Sequence, residues 1–465
     1  MAGQPPARQK RLTLEMRLRS DQSLLSQDLD QLRVAVQSVL ASPQRNFVVL
    51  NNQPIALPNL PEELRALCSK LLPICSGLED GRVLSFPESG EQPGPSSVSL
   101  ADCALHLYKN VETGHEPTAH LLRVEDDEDE GEGGGGGEGG CVAAHHWELP
   151  NAHFDDIWEN LVFDDLTKDK LLRYVGTMVR IADRCPNASS VLSVNRLFLL
   201  YGPPGTGKTS LCRGLAQRLS IRLRQRFKRS VFVEVNSHSL FSKYFSESGK
   251  LVGKMFDEVR LLLEDNDCLV FVLIDEVESL TMARQQAMNC NEPSDSVRVV
   301  NAILTQIDQI RRYKNALILT TSNLSEAVDG AFLDRADLRL FLPPPSPCAV
   351  YAILLSCIKE MRRGGLLSSA EELLEDARLL DVGGGGENAQ QAATRYSRQL
   401  LQLAQKSEGL SGRTLRKLPC LALAEFDSQS FVGLESFLGA LDSQVEERKR
   451  AEGAQPQDAN DHHID

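Results

Sequence analysis

From Arg11 to Arg19 the chain reads RLTLEMRLR, with Leu12, Leu14, Met16 and Leu18 alternating against polar residues. That period of two predicts a half-buried strand. The period then changes. In QSLLSQDLDQLRVAVQSVLA, Leu25, Leu29, Leu32, Val36 and Val39 recur at helical spacing, and Ser20 or Asp21 stands where a first turn would be capped. Two further short apolar runs, FVVL and SLADCALHLYKN, complete a small α+β N-terminal domain assigned to residues 1–123. No catalytic group stands out in it.

Residues 124–144 begin with VEDDEDEGEGGGGGEGG, whose acids and glycines bury too little apolar surface to offset the entropy of ordering them. The stretch predicts a flexible acidic linker. Beyond it, the continuous apolar runs RLFLLYG, VFVEVN, CLVFVLIDE and ALILTTSN alternate with helical patterns. Buried strands separated by helices predict an α/β domain, 145–343, built on a parallel sheet covered on both faces. Pro343, Pro344 and Pro345 stop that pattern. A small, mostly helical domain follows over 344–445, and the polar tail 446–465 is expected to be disordered.

Composition narrows the classes of function. At 465 residues the chain exceeds one compact domain, and 42% hydrophobic with 25% charged residues is an ordinary globular mix. A net charge of −14 and a pI near 5.3 argue against direct nucleic-acid binding, which needs a basic face. The run RLSIRLRQRFKRS gathers Arg218, Arg222, Arg224, Arg226, Lys228 and Arg229 with only Phe227 between them, which predicts a solvated face or a subunit contact. The 11 cysteines form no C-x-x-C pair and have no histidine at zinc spacing, the usage of a reduced intracellular protein. The charged N-terminus lacks the apolar core of a signal peptide, and LFLLYG and CLVFVLI are too short to cross a bilayer. The expectation is a soluble protein of cytosol or nucleus, with no membrane partner.

Chemistry concentrates in two motifs. GPPGTGKT spans Gly202, Pro203, Pro204, Gly205, Thr206, Gly207, Lys208 and Thr209, and Ser210 opens the helix after it. Glycines let backbone N–H groups turn onto phosphate oxygens, the helix N-terminus adds partial positive charge, and lysine meets the β- and γ-phosphates. Thr209 would offer its hydroxyl to Mg²⁺. In LVFVLIDE, a buried strand carries Asp275 and Glu276 to its C-terminal end, where parallel sheets bind ligands. Asp275 would hold Mg²⁺ through water, and Glu276 would polarise the attacking water. Acids at a strand end also cap helices, but a paired set downstream of a phosphate loop points to ATP hydrolysis. A third stretch, SLFSKYFSESGKLV, sets Tyr244 and Phe245 in a polar run with no strand or helix stripe. Aromatics on polar loops are contact residues when they are not folded into the core.

The chain resembles the AAA+ ATPases, and more narrowly the pachytene checkpoint protein 2 family. Residues that carry the likeness are NSHSLFSKYFSESGKLV, LVFVLIDEVESL, EPSDSVRVVNAILTQIDQI, ILTTSNLSEAVDGAFLDRADL and KSEGLSGRTLRKLPCLA. The resemblance implies a P-loop α/β domain with a helical lid, ATP and Mg²⁺ as cofactors, and a homo-hexamer. Its central pore would be lined by Lys243, Tyr244 and Phe245, which grip substrate. It further implies that Asn323 orients the lytic water as first sensor and that Arg413 reaches the γ-phosphate as second sensor. Arg335 would be the arginine finger given to a neighbouring subunit, with Arg311 and Arg312 as substitutes. At that point LDRADL departs from the usual pair of arginines around a Pro-Gly step. FDDIWENLV resembles the segment that meets adenine, which assigns Leu161 and Val162 to the base; Trp158 is either part of it or core.

Family resemblance also implies the clients: HORMA-domain proteins, which switch between open and closed forms around a peptide, presented by a HORMA-like adaptor. The implied work is disassembly of mitotic checkpoint complexes and removal of HORMA proteins from meiotic chromosome axes. Nucleus and cytoplasm, including chromosomes and kinetochores, are the implied locations. Competing readings are a general unfoldase, a DNA-engaged motor, and a nucleotide-gated scaffold that scarcely turns ATP over. PQDANDHHID has no protease-docking motif, net acidity disfavours the motor, and intact Lys208, Asp275, Glu276 and Asn323 disfavour the scaffold.

Overall fold

The computed structural model describes residues 12–19, 49–50, 55, 68–75, 83–84, 104–111, 144–164, 166–185, 194–235, 248–279, 295–323, 330–368, 373, 388–426 and 431–453. The helix expected over 22–41 and nearly all of the acidic linker lie outside them. The N-terminal part supplies β1 (Leu12–Leu18), β2 (Val49–Leu50), β3 (Cys68–Cys75), β4 (Val83–Leu84) and β5 (Ala104–Tyr108). β1 lies between β3, to which it is antiparallel, and β5, to which it is parallel; β2 and β4 pair as a short ribbon. The alternating leucines of β1 are buried as expected; on its polar face Thr13 and Arg17 are half-buried, but Glu15 has 0% exposure.

Next come β6 (Ala144–Leu149), α1 (Ile157–Asn160), α2 (Thr167–Arg184), β7 (Leu197–Tyr201), α3 (Lys208–Arg222), β8 (Arg229–Val235), α4 (Ser248–Glu264), β9 (Cys268–Ile274), α5 (Asp295–Ile310), β10 (Ala316–Ser322), α6 (Gly330–Arg335) and β11 (Leu338–Phe341). Six of the strands form one sheet in the order β11-β7-β10-β9-β8-β6. All neighbours are parallel except β6, which runs antiparallel to β8. Alternation along β9 explains the layering. Val270, Val272 and Ile274 pack among Val259, Ile303 and Ile307 of α4 and α5, while Leu269, Phe271 and Leu273 face the core that includes Leu211 and Leu215 of α3. The two edge strands were not legible as apolar runs, because AHHWEL and LRLF are each half exposed.

α7 (Pro347–Arg363), α8 (Asn388–Lys406), α9 (Gly412–Leu423) and α10 (Leu434–Gly453) make the helical domain around Val350, Leu354, Leu400, Leu415, Phe437 and Leu441. Ser346 caps α7 by accepting from Ala349 N at 3.3 Å, and Pro347 follows at the first helical position. The expectation of disorder from Glu446 is corrected, since α10 continues to Gly453. Glu446 pairs with Lys406 at 3.7 Å and with Arg450, one turn on, at 3.3 Å, so charges that looked merely solvated support the last turns. Among the described residues, no helix is long and apolar enough to cross a membrane.

Within the basic run Arg224, Arg226, Lys228 and Arg229 are exposed, as a solvated face requires, but the reading is corrected at Arg218 and Arg222. Arg218 is 3% exposed and donates to both Glu15 of β1 and Glu159 of α1. Arg222 Nε donates to Glu15 at 2.8 Å, and Lys70 of β3 pairs with Glu159 at 2.9 Å and Asp156 at 2.5 Å. Arg17 pairs with Asp155. Burial pushes the Glu159 carboxyl up, but Arg218 and then Lys70 outweigh it and hold it at about 2. This cluster fastens the N-terminal sheet to α1 and α3, and α3 is the helix that the phosphate loop opens.

Candidate active site

The phosphate loop joins β7 to α3, with Gly207 at φ 91° and Gly205 at φ 77° in the left-handed region that glycine tolerates. Space matters as much as torsion. A Cβ on Gly205 would lie 2.6 Å from Ser411 Oγ, and one on Gly207 would lie 2.8 Å from Leu161 Cδ2. The loop is thus packed between the helical domain on one side and the segment after α1 on the other.

Lys208 is 6% exposed, and its ammonium donates to Gly202 O at 2.9 Å and Pro203 O at 2.8 Å. Burial pulls its pKa down, opposed by the carboxylates of Glu278, Asp275 and Glu276 in that order. Thr209 Oγ1 donates to both Asp275 oxygens, at 2.9 and 3.1 Å. Asp275 and Glu276 follow β9 directly, as the sequence predicts. Because β10 lies between β7 and β9, Asn323 at the end of β10 stands between the loop and the acid pair.

Thr321, the buried last-but-one residue of β10, was not legible as functional. Its hydroxyl donates to Asp275 Oδ1 and accepts from Glu276 N at 3.1 Å. That second bond holds Glu276 at φ 55°, a conformation uncommon outside glycine and concentrated at functional sites. Glu278 was missed too; its buried Oε1 accepts from Asn323 N at 3.0 Å. The only sequence signal for it was a third acid in IDEVES.

Arg413 stands at the start of α9, where Ser411 caps the helix, and its N–H donates to Gly205 O at 3.3 Å. The helical domain therefore touches the phosphate loop through backbone as well as side chain. A cavity of about 400 Å³ opens here, lined among others by Leu161, Val162, Thr206, Gly207, Ser210 and Arg413. Two polar bridges flank it: Arg416 donates to Asn160 O, and Asp164 accepts from Ser346 N at 3.1 Å and Oγ at 2.5 Å. Trp158 is core, fully buried against Gly214 of α3. Arg335 is not part of this cluster; it forms a two-pronged pair with Asp308 at 2.8 and 2.9 Å, and Arg311 reaches the same Asp308 at 3.5 Å. Lys243, Tyr244 and Phe245 lie outside the described residues.

Residues 198–344 match the model of the ATPase family associated with various cellular activities (AAA), and residues 346–449 match the TRIP13-like AAA+ ATPase lid C-terminal domain. The molecule is accordingly a nucleotide-binding AAA ATPase whose helical domain is a TRIP13-like lid. Relatives over nearly the full length narrow the class. Pachytene checkpoint protein 2 homolog of Xenopus tropicalis is 42% identical over 434 residues, which span 90% of this chain and 99% of that one. The Homo sapiens homolog is 48% identical over 360 residues, 77% and 79% of the two chains. The solved structure of C. elegans PCH-2 superposes with a TM-score of 0.72 at 34% identity, covering 95% of this chain and 99% of that one. The chain belongs to the pachytene checkpoint protein 2 family.

Proposed function

We propose that this ATPase is a ring-forming protein remodeller, a homo-hexamer that couples hydrolysis to pulling on HORMA-domain proteins presented by a HORMA-like adaptor. In this reading Lys243, Tyr244 and Phe245 grip the client in the pore, and closed HORMA proteins are returned to the open form. Mitotic checkpoint complexes and meiotic chromosome axes are the assemblies acted on, in nucleus and cytoplasm and at chromosomes and kinetochores. The observation that supports the proposal is the convergence of Lys208 and Thr209, after β7, with Asp275 and Glu276, after β9, beside a phosphate loop to which Arg413 N–H of the lid is bonded. A scaffold that only binds nucleotide has no use for Glu276 held by Thr321.

In the mechanism, Lys208 and the loop N–H groups bind the phosphates, and Leu161 and Val162 cover the base. Glu276 takes the proton of the attacking water, which Asn323 orients. Arg413 links the lid to the phosphate end of the site, so that turnover moves one domain against the other. Thr209 Oγ1 and Asp275 supply converging oxygen donors of the kind a small hard cation takes alongside phosphate and water. They fit Mg²⁺, which when bound would neutralise charge on the phosphates. Arg335 serves the neighbouring subunit's site, for which it must leave Asp308.

Glu276→Gln tests the proposal. It removes the base while keeping the side-chain shape, so ATP still binds, turnover falls by about 100-fold or more, and a stable hexamer holding a HORMA protein is trapped, visible by light scattering after size exclusion. A variant that binds ATP yet stays monomeric and captures no HORMA protein contradicts the proposal.

A further inference from the structure

Glu278 is a buried carboxylate near the phosphate loop to which the roles above give no part. It is 6% exposed, below the C-terminal end of β9 and two residues past Glu276. Its Oε1 accepts from Asn323 N at 3.0 Å, a bond that crosses from the β9 end to the β10 end. A carboxylate taken out of water needs hydrogen bonds and opposite charge around it, and Lys208 supplies charge. Among the acids that support the ammonium against burial, Glu278 acts most strongly, ahead of Asp275 and Glu276.

The position therefore faces two ways. Toward β10 it fixes the backbone of the residue whose side chain must be placed on the water. Toward the loop its negative charge acts on Lys208. We propose that Glu278 is a positioning residue for hydrolysis: its buried carboxylate anchors Asn323 to the end of β9, so that the water-orienting amide is held in register with Lys208 and Glu276. A displacement near 1 Å at such a group costs on the order of 100-fold in rate, which makes one well-placed bond worth having.

The inference rests on the reading of Asn323 as the water-orienting residue, and a four-variant cycle separates the two. Steady-state ATP hydrolysis is measured for full-length Glu278→Ala, Glu278→Gln, Asn323→Ala and the double variant Glu278→Ala with Asn323→Ala. Glu278→Ala is expected to lower kcat about 10- to 100-fold with KM for ATP within about threefold. Glu278→Gln, which keeps an oxygen acceptor for the Asn323 N–H, is expected to recover most of that kcat. If Glu278 acts through Asn323, the double variant is no slower than Asn323→Ala alone. Losses that multiply in the double variant, or a Glu278→Gln variant as slow as Glu278→Ala with its nucleotide binding intact, overturn the inference while leaving Asn323 in its role. An Asn323→Ala variant turning over at the wild-type rate removes the reading beneath it. Where Glu278→Ala fails to fold, the Gln variant alone decides: kcat within about threefold of wild type supports the anchor, and a loss of about tenfold or more at unchanged KM overturns it.

Discussion

Arg218→Met would test whether the N-terminal sheet is fastened to the ATPase domain by buried charge. The substitution keeps length and apolar volume but removes the guanidinium between Glu15 and Glu159. Deleting one member of a buried ion pair costs about 3–5 kcal/mol because it leaves the other charge uncompensated. Here both acids keep a partner, Glu15 with Arg222 at 2.8 Å and Glu159 with Lys70 at 2.9 Å, which places the loss at the lower end, about 3 kcal/mol. The titration of Glu159 agrees in sign: burial raises its carboxyl, and Arg218 and then Lys70 bring it from its ordinary 4.5 to about 2. For a unit of this size a loss of about 3 kcal/mol is a drop in Tm of roughly 6–12 °C at neutral pH. The pH dependence has a definite sign. Because the folded-state pKa is lowered, the stabilisation is fully present above pH 4.5 and is lost as pH falls toward 2. Scanning calorimetry from pH 7 downward should therefore show the gap between wild type and variant narrowing below pH 4.5. A Tm within about 2 °C of wild type at pH 7, or a gap that acid does not narrow, would refute the reasoning.

Gly205→Ala places a Cβ 2.6 Å from Ser411 Oγ at φ 77°, so the lid must shift; ATP affinity measured by titration calorimetry should fall about tenfold or more, and unchanged affinity would mean that the lid contact is incidental. Thr321→Val deletes the hydroxyl that joins Asp275 to the backbone of Glu276; kcat should fall about tenfold with ATP binding retained, and wild-type turnover would show that Glu276 needs no such support.

Much of this was legible because its physics is local. The phosphate loop, the acid pair after β9 and the helical lid all follow from residue order, since a glycine's freedom, a buried strand and a capping serine act within a few residues. What could not be read depended on distant partners. Glu15 sits in an alternating strand as an outward polar residue, and only packing against α3 reveals that it is buried. Arg218 looked like one of a solvated run for the same reason, as its two acids are 203 and 59 residues away. β6 and β11 are edge strands, so half-exposed sequences carried no continuous apolar signal. Thr321 and Glu278 are an ordinary threonine and a third acid until β9 and β10 lie side by side.

Under the proposed function, hydrolysis at this site is coupled to a HORMA client through Lys243, Tyr244 and Phe245. Steady-state ATP turnover of the wild type and of Tyr244→Ala, each alone and with a closed HORMA-domain protein plus its adaptor, tests it most directly. The client pair should stimulate the wild type, while Tyr244→Ala keeps its basal rate and loses the stimulation. Robust hydrolysis indifferent to HORMA proteins, or stimulation that survives in Tyr244→Ala, would contradict it.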